Sequence, residues 1–280
     1  MRIITKASGQ KESFDIKKFK RSLLRSGVSE KIIEELVQEI IRRTDLKTTS
    51  DIYRYAFNAL VSQRSPAAAR YNLKKALYDL GPSGFPLEKF LAKLFEEQGY
   101  NVFLNQIAPG KCISYEIDLV LKKENKYHFV ESKFHIRQGR KSDIQPVLYS
   151  KARFDDIQAY YMQKPMYKKK NHLALVITNT KFTSKAIQYA ECVGMKLIDW
   201  SYPQEGSLAV LIDRLGIHPI TALSTLSSNQ KRRLIEKNIV LCREIKKNID
   251  KLKEVGISQH RINRIVKEAE EMRKIRRLER

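Results

Sequence analysis

The stretch that most constrains the fold is residues 115–134, which read YEIDLVLKKENKYHFVESKF. Apolar and polar residues alternate on both sides of Glu124 and Asn125, a pattern typical of half-buried β-strands. The two runs are close enough for a tight turn to join them as an antiparallel hairpin. With the turn centred between Glu124 and Asn125, Lys122 faces Tyr127 across the hairpin. The stretch therefore predicts two strands, their pairing with each other and the register of that pairing.

Charged residues occupy positions of this hairpin where a buried strand would carry apolar ones. In the predicted register Asp118 faces Glu131, and Lys133 projects from the same face. Like charges placed directly opposite one another are destabilising. Two carboxylates there need a cation, and Mg²⁺ is commonly held by one or two carboxylates together with phosphate oxygens. The opposite face is predicted to carry the apolar residues Ile117, Leu119, Leu121, Val130 and Phe134.

The three residue types together predict a site that hydrolyses phosphodiesters. Asp118 and Glu131 are the candidate metal ligands, and a bound Mg²⁺ can activate a water molecule and stabilise charge on a phosphate. Lys133 can orient that water or stabilise the transition state. The alternative is a solvent-facing strand edge with an ordinary salt bridge. A one-residue bulge would also move Asp118 to the other face.

The net charge of +23 favours a nucleic-acid partner. It is spread along the chain, with +8 in residues 1–80, +6 in 81–205 and +9 in 206–280. A solvated cationic surface is the alternative. No apolar run approaches the roughly 20 residues of a membrane helix, and the N-terminus has no apolar signal-peptide core. Three scattered cysteines do not suggest a disulfide framework. We therefore expect a cytoplasmic protein that binds DNA and no membrane.

Two segments rich in glycine and proline, LGPSGFP (80–86) and SYPQEGS (201–207), divide the chain into three predicted parts. Residues 1–80 indicate a small hairpin followed by helices. Residues 84–203 indicate a mixed sheet flanked by helices, including a parallel strand–helix–strand unit. Residues 206–280 indicate helices alone. The predicted fold class is therefore mixed α/β.

Two longer segments, one in each outer part, are each predicted as a single helix. They are SPAAARYNLKKALYDL (65–80) and SNQKRRLIEKNIVLCREI (228–245). The first opens with a residue suited to capping a helix, and the second lies in the part of the chain that indicates helices alone.

The central part resembles the restriction-endonuclease-like PD-(D/E)xK superfamily, most closely its Mrr-type branch. The residues that carry the resemblance are YEID (115–118), VESK (130–133), the helix within 84–102 and the closing strand–helix–strand of 174–200. The resemblance implies Mg²⁺-dependent DNA cleavage, in restriction or defence. It also implies that Glu88, early in the first helix, assists the metal site.

The first 80 residues resemble the ATP-cone, a nucleotide-binding regulatory module. The resemblance rests on ITKASG (4–9) and FDIKKF (14–19), with TTSDIYRYAFNAL and AAARYNLKKAL following in order. It implies binding of ATP or dATP through four residues, namely Lys6, Glu12, Asp15 and Lys18. Ala7 departs from the arginine common in that family, which removes a bidentate phosphate partner. No P-loop is present, so we expect a regulatory nucleotide that is not hydrolysed and that changes the state of a homo-oligomer.

Residues 206–280 have a pattern of helices and turns similar to that of helix–hairpin–helix modules. In such modules, backbone N–H groups contact DNA phosphates. Ordinary packed helices are the alternative. The combined hypothesis is a nucleotide-regulated DNA endonuclease. Its rivals are a DNA repair or junction-resolving nuclease and a non-enzymatic, nucleotide-responsive DNA-binding regulator. A metabolic enzyme regulated by the ATP-cone is a further alternative. It would need a second set of catalytic residues, and the sequence offers none.

Overall fold

The computed structural model describes residues 3–6, 9–63, 67–81, 83–137, 139–168 and 170–274. The chain forms two compact units, one of Met1–Leu77 with His218–Arg280 and one of Tyr78–Ile217. It is 52% helical and 19% strand, with a central five-stranded sheet and a helical C-terminal part. The predicted mixed α/β class is confirmed. The division into three functional parts stays a prediction, and its first and third parts share one unit.

The N-terminal segment of the first unit is a two-stranded antiparallel hairpin followed by helices, as the sequence indicated. Its elements are β1 (Ile3–Thr5), β2 (Lys11–Ser13), α1 (Ile16–Arg25), α2 (Glu30–Arg42), α3 (Thr49–Ser62), α4 (Ala67–Tyr71) and α5 (Leu73–Tyr78). The side chain of Asp15 caps α1 by accepting a hydrogen bond from the Lys18 N–H. Thr48 and Asp51 cap α3 reciprocally, which satisfies two backbone donors at its start.

The segment predicted as one helix over 65–80 is divided at Asn72, between α4 and α5. The Asn72 side chain is buried and accepts a 2.6 Å hydrogen bond from the Tyr53 hydroxyl on α3. Asparagine is a weaker helix former than the surrounding alanine and leucine. A tertiary hydrogen bond that fixes this side chain therefore coincides with the break, and such a bond is not visible in the helical pattern.

The second unit is built around a five-stranded sheet of order β3-β4-β5-β6-β7. Its elements are α6 (Phe85–Glu96), β3 (Asn101–Pro109), β4 (Ser114–Lys123), β5 (Lys126–Lys133), α7 (Ile144–Met162), β6 (Asn171–Thr178), α8 (Ser184–Cys192), β7 (Lys196–Ile198) and α9 (Leu208–Leu215). The first three strands are antiparallel neighbours, and β5, β6 and β7 run parallel. The predicted mixed sheet and parallel strand–helix–strand unit are confirmed.

Helices cover the two faces of this sheet. One face packs on α7 and α8 in an apolar cluster that includes Phe129 and Val176 of the strands and Phe154 of α7. On the other face His128 packs edge-on against Tyr100, which in turn meets Phe95 of α6. Burial of the apolar residues on both faces is what holds the strands of the sheet in place.

One residue of the hairpin contradicts the predicted alternation. Ile117 packs in the α7 cluster with Phe129, whereas regular alternation would place it with Leu119 and Val130 on the other face. The physical reason is a local irregularity at Asp118, the residue that follows Ile117. The recorded pairing of β4 with β5 stops at Leu119 and Val130.

The C-terminal segment of the first unit is helical, as predicted. Its elements are α10 (Ser228–Glu236), α11 (Ile249–Glu254) and α12 (Gln259–Lys274), with short 3-10 turns at Ile220–Ala222 and Cys242–Lys247. The single helix predicted over 228–245 is wrong, because α10 ends at Glu236. Asn238 adopts φ +62°, and the N–H groups of Asn238 and Ile239 return to the carbonyls of Ile235 and Leu234. This is the left-handed cap that ends many helices.

Candidate active site

The hairpin that carries the candidate residues opens at one end. From the turn to Leu119 and Val130, β4 and β5 pair in the predicted register, including Lys122 with Tyr127. β5 nevertheless runs on to Lys133, and β4 extends back to Ser114 beside β3. Opposite Asp118 on the β3 side, Asn105 has φ +49°. Regular pairing is therefore interrupted on both sides of Asp118, although β3 and β4 resume the same register at Gln106 and Ile117.

The Asp118 side chain lies across this opening. Its Oδ2 accepts a 2.6 Å hydrogen bond from the backbone N–H of Ser132 on β5. Burial raises the pKa of the Asp118 carboxyl, and the Glu131 carboxylate raises it further, while the Ser132 hydrogen bonds and Lys133 act in the opposite direction. Asp118 is thus a partly buried carboxyl that senses the charges of both Glu131 and Lys133.

Two cations hold the Glu131 carboxylate. The Lys133 Nζ lies 2.7 Å from its Oε1, and the Nη1 of Arg153 on α7 lies 2.7 Å from its Oε2. The Nη2 of the same arginine donates to the backbone carbonyl of Glu116. The side chains of Glu131 and Arg153 are each 13% exposed. The structure therefore brings Asp118, Glu131 and Lys133 together and adds Arg153 to them.

Glu88 approaches the same group from the N-terminal part of α6. The pKa of its carboxyl is raised to about 7, first by burial and then by the charges of Asp118, Glu116 and Glu131. Glu88 is therefore near the carboxylates of the hairpin, as its predicted place at the site requires. A carboxyl with a pKa near 7 in a cleft is a group that functional sites commonly contain.

We expect replacement of Glu88 by glutamine to raise the melting temperature of the metal-free protein at pH 8. Because the folded-state pKa is raised above 4.5 to about 7, the fold favours the protonated carboxyl. Its stabilising contribution is fully present below the ordinary pKa and is lost as pH rises through about 7. Glutamine mimics the protonated form at every pH, so its advantage is largest at pH 8 and shrinks toward pH 5.

Melting curves in a chelating buffer between pH 5 and pH 8 measure this effect. Glu96→Gln is the matched control, because Glu96 is on the same helix but is paired with Lys93 and 43% exposed. If the melting temperature of Glu88→Gln at pH 8 is at or below that of the wild type, the fold does not disfavour the ionised form of Glu88.

The loop after β5 is fixed at both ends by buried polar residues. Asn179, fully buried, accepts from the His135 N–H and donates to the His135 carbonyl, both at 2.9 Å. At the other end the backbone of Ser142 bonds to Lys181 and Thr183. Between these anchors the exposed basic residues are Arg137, Arg140 and Lys141. A basic loop that is anchored at both ends thus begins two residues after Lys133.

The four residues predicted to bind nucleotide lie in the first unit. Lys6 and Glu12 form an ion pair, and the Asp15 side chain bonds to the Lys18 backbone at the start of α1. The structure thus joins these residues in two pairs. Ala7, the departure from the ATP-cone pattern, lies outside the described residues.

Sequence reasoning missed Arg153 and Asn179. Arg153 belongs to the inward side of α7, between the buried Ser150 and Ile157 at helical spacing. A basic residue on an otherwise buried stripe is the signal that could have singled it out. Asn179 follows directly after the predicted strand β6, where polar residues of α/β sheets often serve a site.

The side chains fit a site for a hard divalent cation. Within the part of the chain that the structure describes, no group of three or more His, Cys, Asp or Glu side chains is arranged to hold a metal ion. Two carboxylates are nevertheless sufficient for Mg²⁺, which keeps several waters and shares substrate phosphates. Burial is the main cause of the raised pKa values of Glu88 and Asp118, and repulsion by neighbouring carboxylates raises them further. A bound cation would relieve that repulsion.

Comparison with known proteins agrees with this architecture. Residues 81–201 match the Mrr-type restriction endonuclease family, and residues 218–273 match the family described as AF1548-like, C-terminal. An uncharacterized protein of Archaeoglobus fulgidus is 32% identical over 186 residues, which cover 65% of this chain and 99% of that protein. The chain belongs to the AF1548-like family.

A solved structure of this family supports the assignment. The crystal structure of AF1548, described as a protein of unknown function, aligns with a TM-score of 0.54 at 31% identity. The alignment covers 67% of this chain and 97% of AF1548. The predicted Mrr-type domain is thus confirmed within an AF1548-like protein, and the ATP-cone stays a prediction. Among the described helices, none is both long enough and apolar enough to span a bilayer.

Proposed function

We propose that this AF1548-like protein is a Mg²⁺-dependent DNA endonuclease. The observation that carries the proposal is the grouping of Asp118, Glu131 and Lys133 at the opening between β4 and β5, with Glu88 beside them. The match of the surrounding residues to restriction endonucleases supports it independently. Two carboxylates and an amine on adjoining strands provide the groups that phosphodiester hydrolysis requires.

In this proposal Asp118 and Glu131 hold the metal ion through their carboxylate oxygens, the ligand type that Mg²⁺ prefers. When bound, Mg²⁺ supplies Lewis-acid stabilisation of the charge that develops on the scissile phosphate. Asp118 keeps its hydrogen bond from the Ser132 N–H, which fixes one of its two oxygens and leaves the other for the ion.

Lys133 and Glu88 act on the water and the phosphate. Lys133 brings a positive charge to within 2.7 Å of Glu131, and from there its amine can donate to the attacking water or to a phosphate oxygen. Glu88, with a pKa of about 7, can accept a proton near neutral pH, which is the range in which a general base works best.

DNA is the proposed substrate because a basic loop adjoins the candidate site and the protein as a whole is strongly positive. Arg137, Arg140 and Lys141 are exposed on the loop that begins just after Lys133, and the protein as a whole carries +23. Contacts of such residues with phosphates fix a protein on the duplex without reading sequence. We therefore expect DNA affinity to fall steeply as salt concentration rises.

Incubation of the protein with plasmid DNA, with and without Mg²⁺, tests the proposal. Nicked or linear products that require Mg²⁺ and disappear with a chelator are the expected result. Salt-sensitive DNA binding without any cleavage would contradict the proposal and favour the non-enzymatic regulator.

The biological role that we propose is restriction or defence, with repair or junction resolution as the alternative. All of these use the same site, so the choice of substrate separates them. Cleavage of a modified duplex, a plain duplex and a four-way junction should be compared at equal concentrations. Preference for the linear duplexes supports restriction, and preference for the junction supports resolution.

Regulation by ATP or dATP is the finer part of the proposal, and it rests on the ATP-cone resemblance of the first 80 residues. Titration calorimetry with each nucleotide should show binding that Lys6→Ala and Lys18→Ala weaken, because each removes a cation from the proposed phosphate contacts. Lys11→Ala, an exposed position on β2 of the same hairpin, is the control. If neither nucleotide gives heat or changes the mass of the oligomer, this regulation is ruled out.

A further inference from the structure

We infer that Arg153 is a positioning residue that holds Glu131 ready for the metal ion, an inference that rests on the nuclease function proposed above. Arg153 lies on α7, outside the hairpin that carries the candidate carboxylates. Its Nη1 donates to the Glu131 Oε2 at 2.7 Å. Its Nη2 donates to the Glu116 carbonyl oxygen. One guanidinium therefore contacts both strands of the opening.

The position of these two bonds gives them their importance. Glu116 is on β4 and Glu131 is on β5, beyond the last recorded pair of Leu119 with Val130. The backbone ladder has ended there, so it does not set the separation of the strands. The planar fork of an arginine can bridge two acceptors at fixed geometry, which a lysine ammonium does not do. Arg153 thus connects β4 and β5 at the point where their backbone pairing has ended.

The guanidinium is itself held in place. The rings of Tyr115 on β4 and Tyr149 on α7 lie 5.4 Å and 5.2 Å from its central carbon, within the range of cation–π attraction. The neighbouring Phe154 packs in the apolar cluster of the sheet. Arg153 Nε is buried and has no partner among the described protein groups. The side-chain hydrogen bonds of Arg153 to the described residues are those to Glu131 on β5 and Glu116 on β4.

Glu131 has a cation on each of its oxygens, and the two cations have different tasks. Lys133 is proposed to turn to the water or the phosphate during the reaction, which removes its hold on Oε1. Arg153 keeps its hold on Oε2, so the carboxylate retains its orientation toward the ion. Partners that orient a metal ligand in this way typically account for 10–100-fold in metal affinity or activity.

Arg153→Lys is the decisive variant, because it keeps the charge and removes the fork. We expect the Mg²⁺ affinity measured by titration calorimetry to fall about 10-fold or more, and the rate of DNA cleavage to fall about 10–100-fold. Lys151→Arg is the matched control. Lys151 is on the same helix and pairs with Asp155, whose side chain is 52% exposed, so this swap should leave metal binding and cleavage unchanged.

The outcomes separate the two proposals. A wild type that neither binds Mg²⁺ nor cuts DNA would reject the nuclease function itself. A wild type that does both, with an Arg153→Lys variant equal to it, would reject the role of Arg153 alone. If Arg153→Lys does not fold, Tyr149→Leu replaces it, since Tyr149 is 58% exposed and only frames the guanidinium. A few-fold weaker Mg²⁺ affinity supports the inference there, and an unchanged affinity overturns it.

Discussion

Replacement of Asp118 by asparagine is expected to abolish Mg²⁺-dependent DNA cleavage, with a loss of about 10³-fold or more in rate. A catalytic metal stabilises charge by several kcal/mol, and each 1.4 kcal/mol corresponds to about tenfold in rate. Asparagine keeps the size of the side chain and an oxygen that can accept from the Ser132 N–H. It removes only the negative charge that the ion requires.

The same substitution should leave the protein at least as stable as the wild type. Burial, the main cause, raises the pKa of the Asp118 carboxyl, so the ionised form at neutral pH works against folding. A neutral asparagine removes that cost. Cleavage, Mg²⁺ calorimetry and the melting temperature should therefore be measured together. Asp155→Asn on the exposed side of α7 serves as the control, and wild-type cleavage by Asp118→Asn would refute the assignment of this carboxylate.

Replacement of Lys133 by methionine should slow cleavage by about 10²–10³-fold, the cost of removing one donor that stabilises developing charge. Metal binding should respond differently from cleavage. The substitution removes a cation 2.7 Å from Glu131 and leaves both proposed ligands, so Mg²⁺ affinity should stay equal or increase. Single-turnover cleavage at saturating Mg²⁺ separates the chemical step from binding.

Lys126→Met, at the other end of β5, is the matched control for that experiment. Lys126 is exposed beside the turn, so its loss should leave cleavage at the candidate site unchanged. If Lys133→Met loses Mg²⁺ binding together with cleavage, the lysine serves to hold Glu131 and takes no part in the reaction.

The part of the site that sequence could predict is the part set by local periodicity. Alternation with a period of two and a tight turn at Glu124 and Asn125 determine the register, and the pairing of Lys122 with Tyr127 confirms it. The same reasoning failed for Ile117, because the alternation is broken at Asp118. Neither the loss of pairing nor the positive φ of Asn105 has a signature in a sequence read for alternation.

Other features depend on residues far apart in the chain. Arg153 reaches Glu131, and Asn179 reaches His135, across intervals that no local pattern connects. Sequence periodicity shows which side of α7 is buried, but not that an arginine on that side meets a carboxylate. A single sequence therefore indicates the strands and the candidate carboxylates, while tertiary packing supplies the groups that orient them.

The first unit is built from two segments that are far apart in the chain, and no local pattern shows this. Both the hairpin-and-helix segment Met1–Leu77 and the helical segment His218–Arg280 belong to it. A buried hydrogen bond of 2.6 Å from the Thr221 hydroxyl to the Ala76 carbonyl joins the two segments. The glycine- and proline-rich breaks showed where the chain changes character, but not that its outer parts meet.

This arrangement has a consequence for the newly made protein as it leaves the ribosome. The sheet-containing unit is contiguous, so it can fold as soon as Tyr78–Ile217 has been translated. The other unit is completed only when its later segment, His218–Arg280, emerges some seconds afterwards at ordinary elongation rates. The early segment buries Leu36 and Ile40 in an apolar cluster of its own residues, whereas contacts such as that of Ala76 with Thr221 can form only after the later segment has been translated.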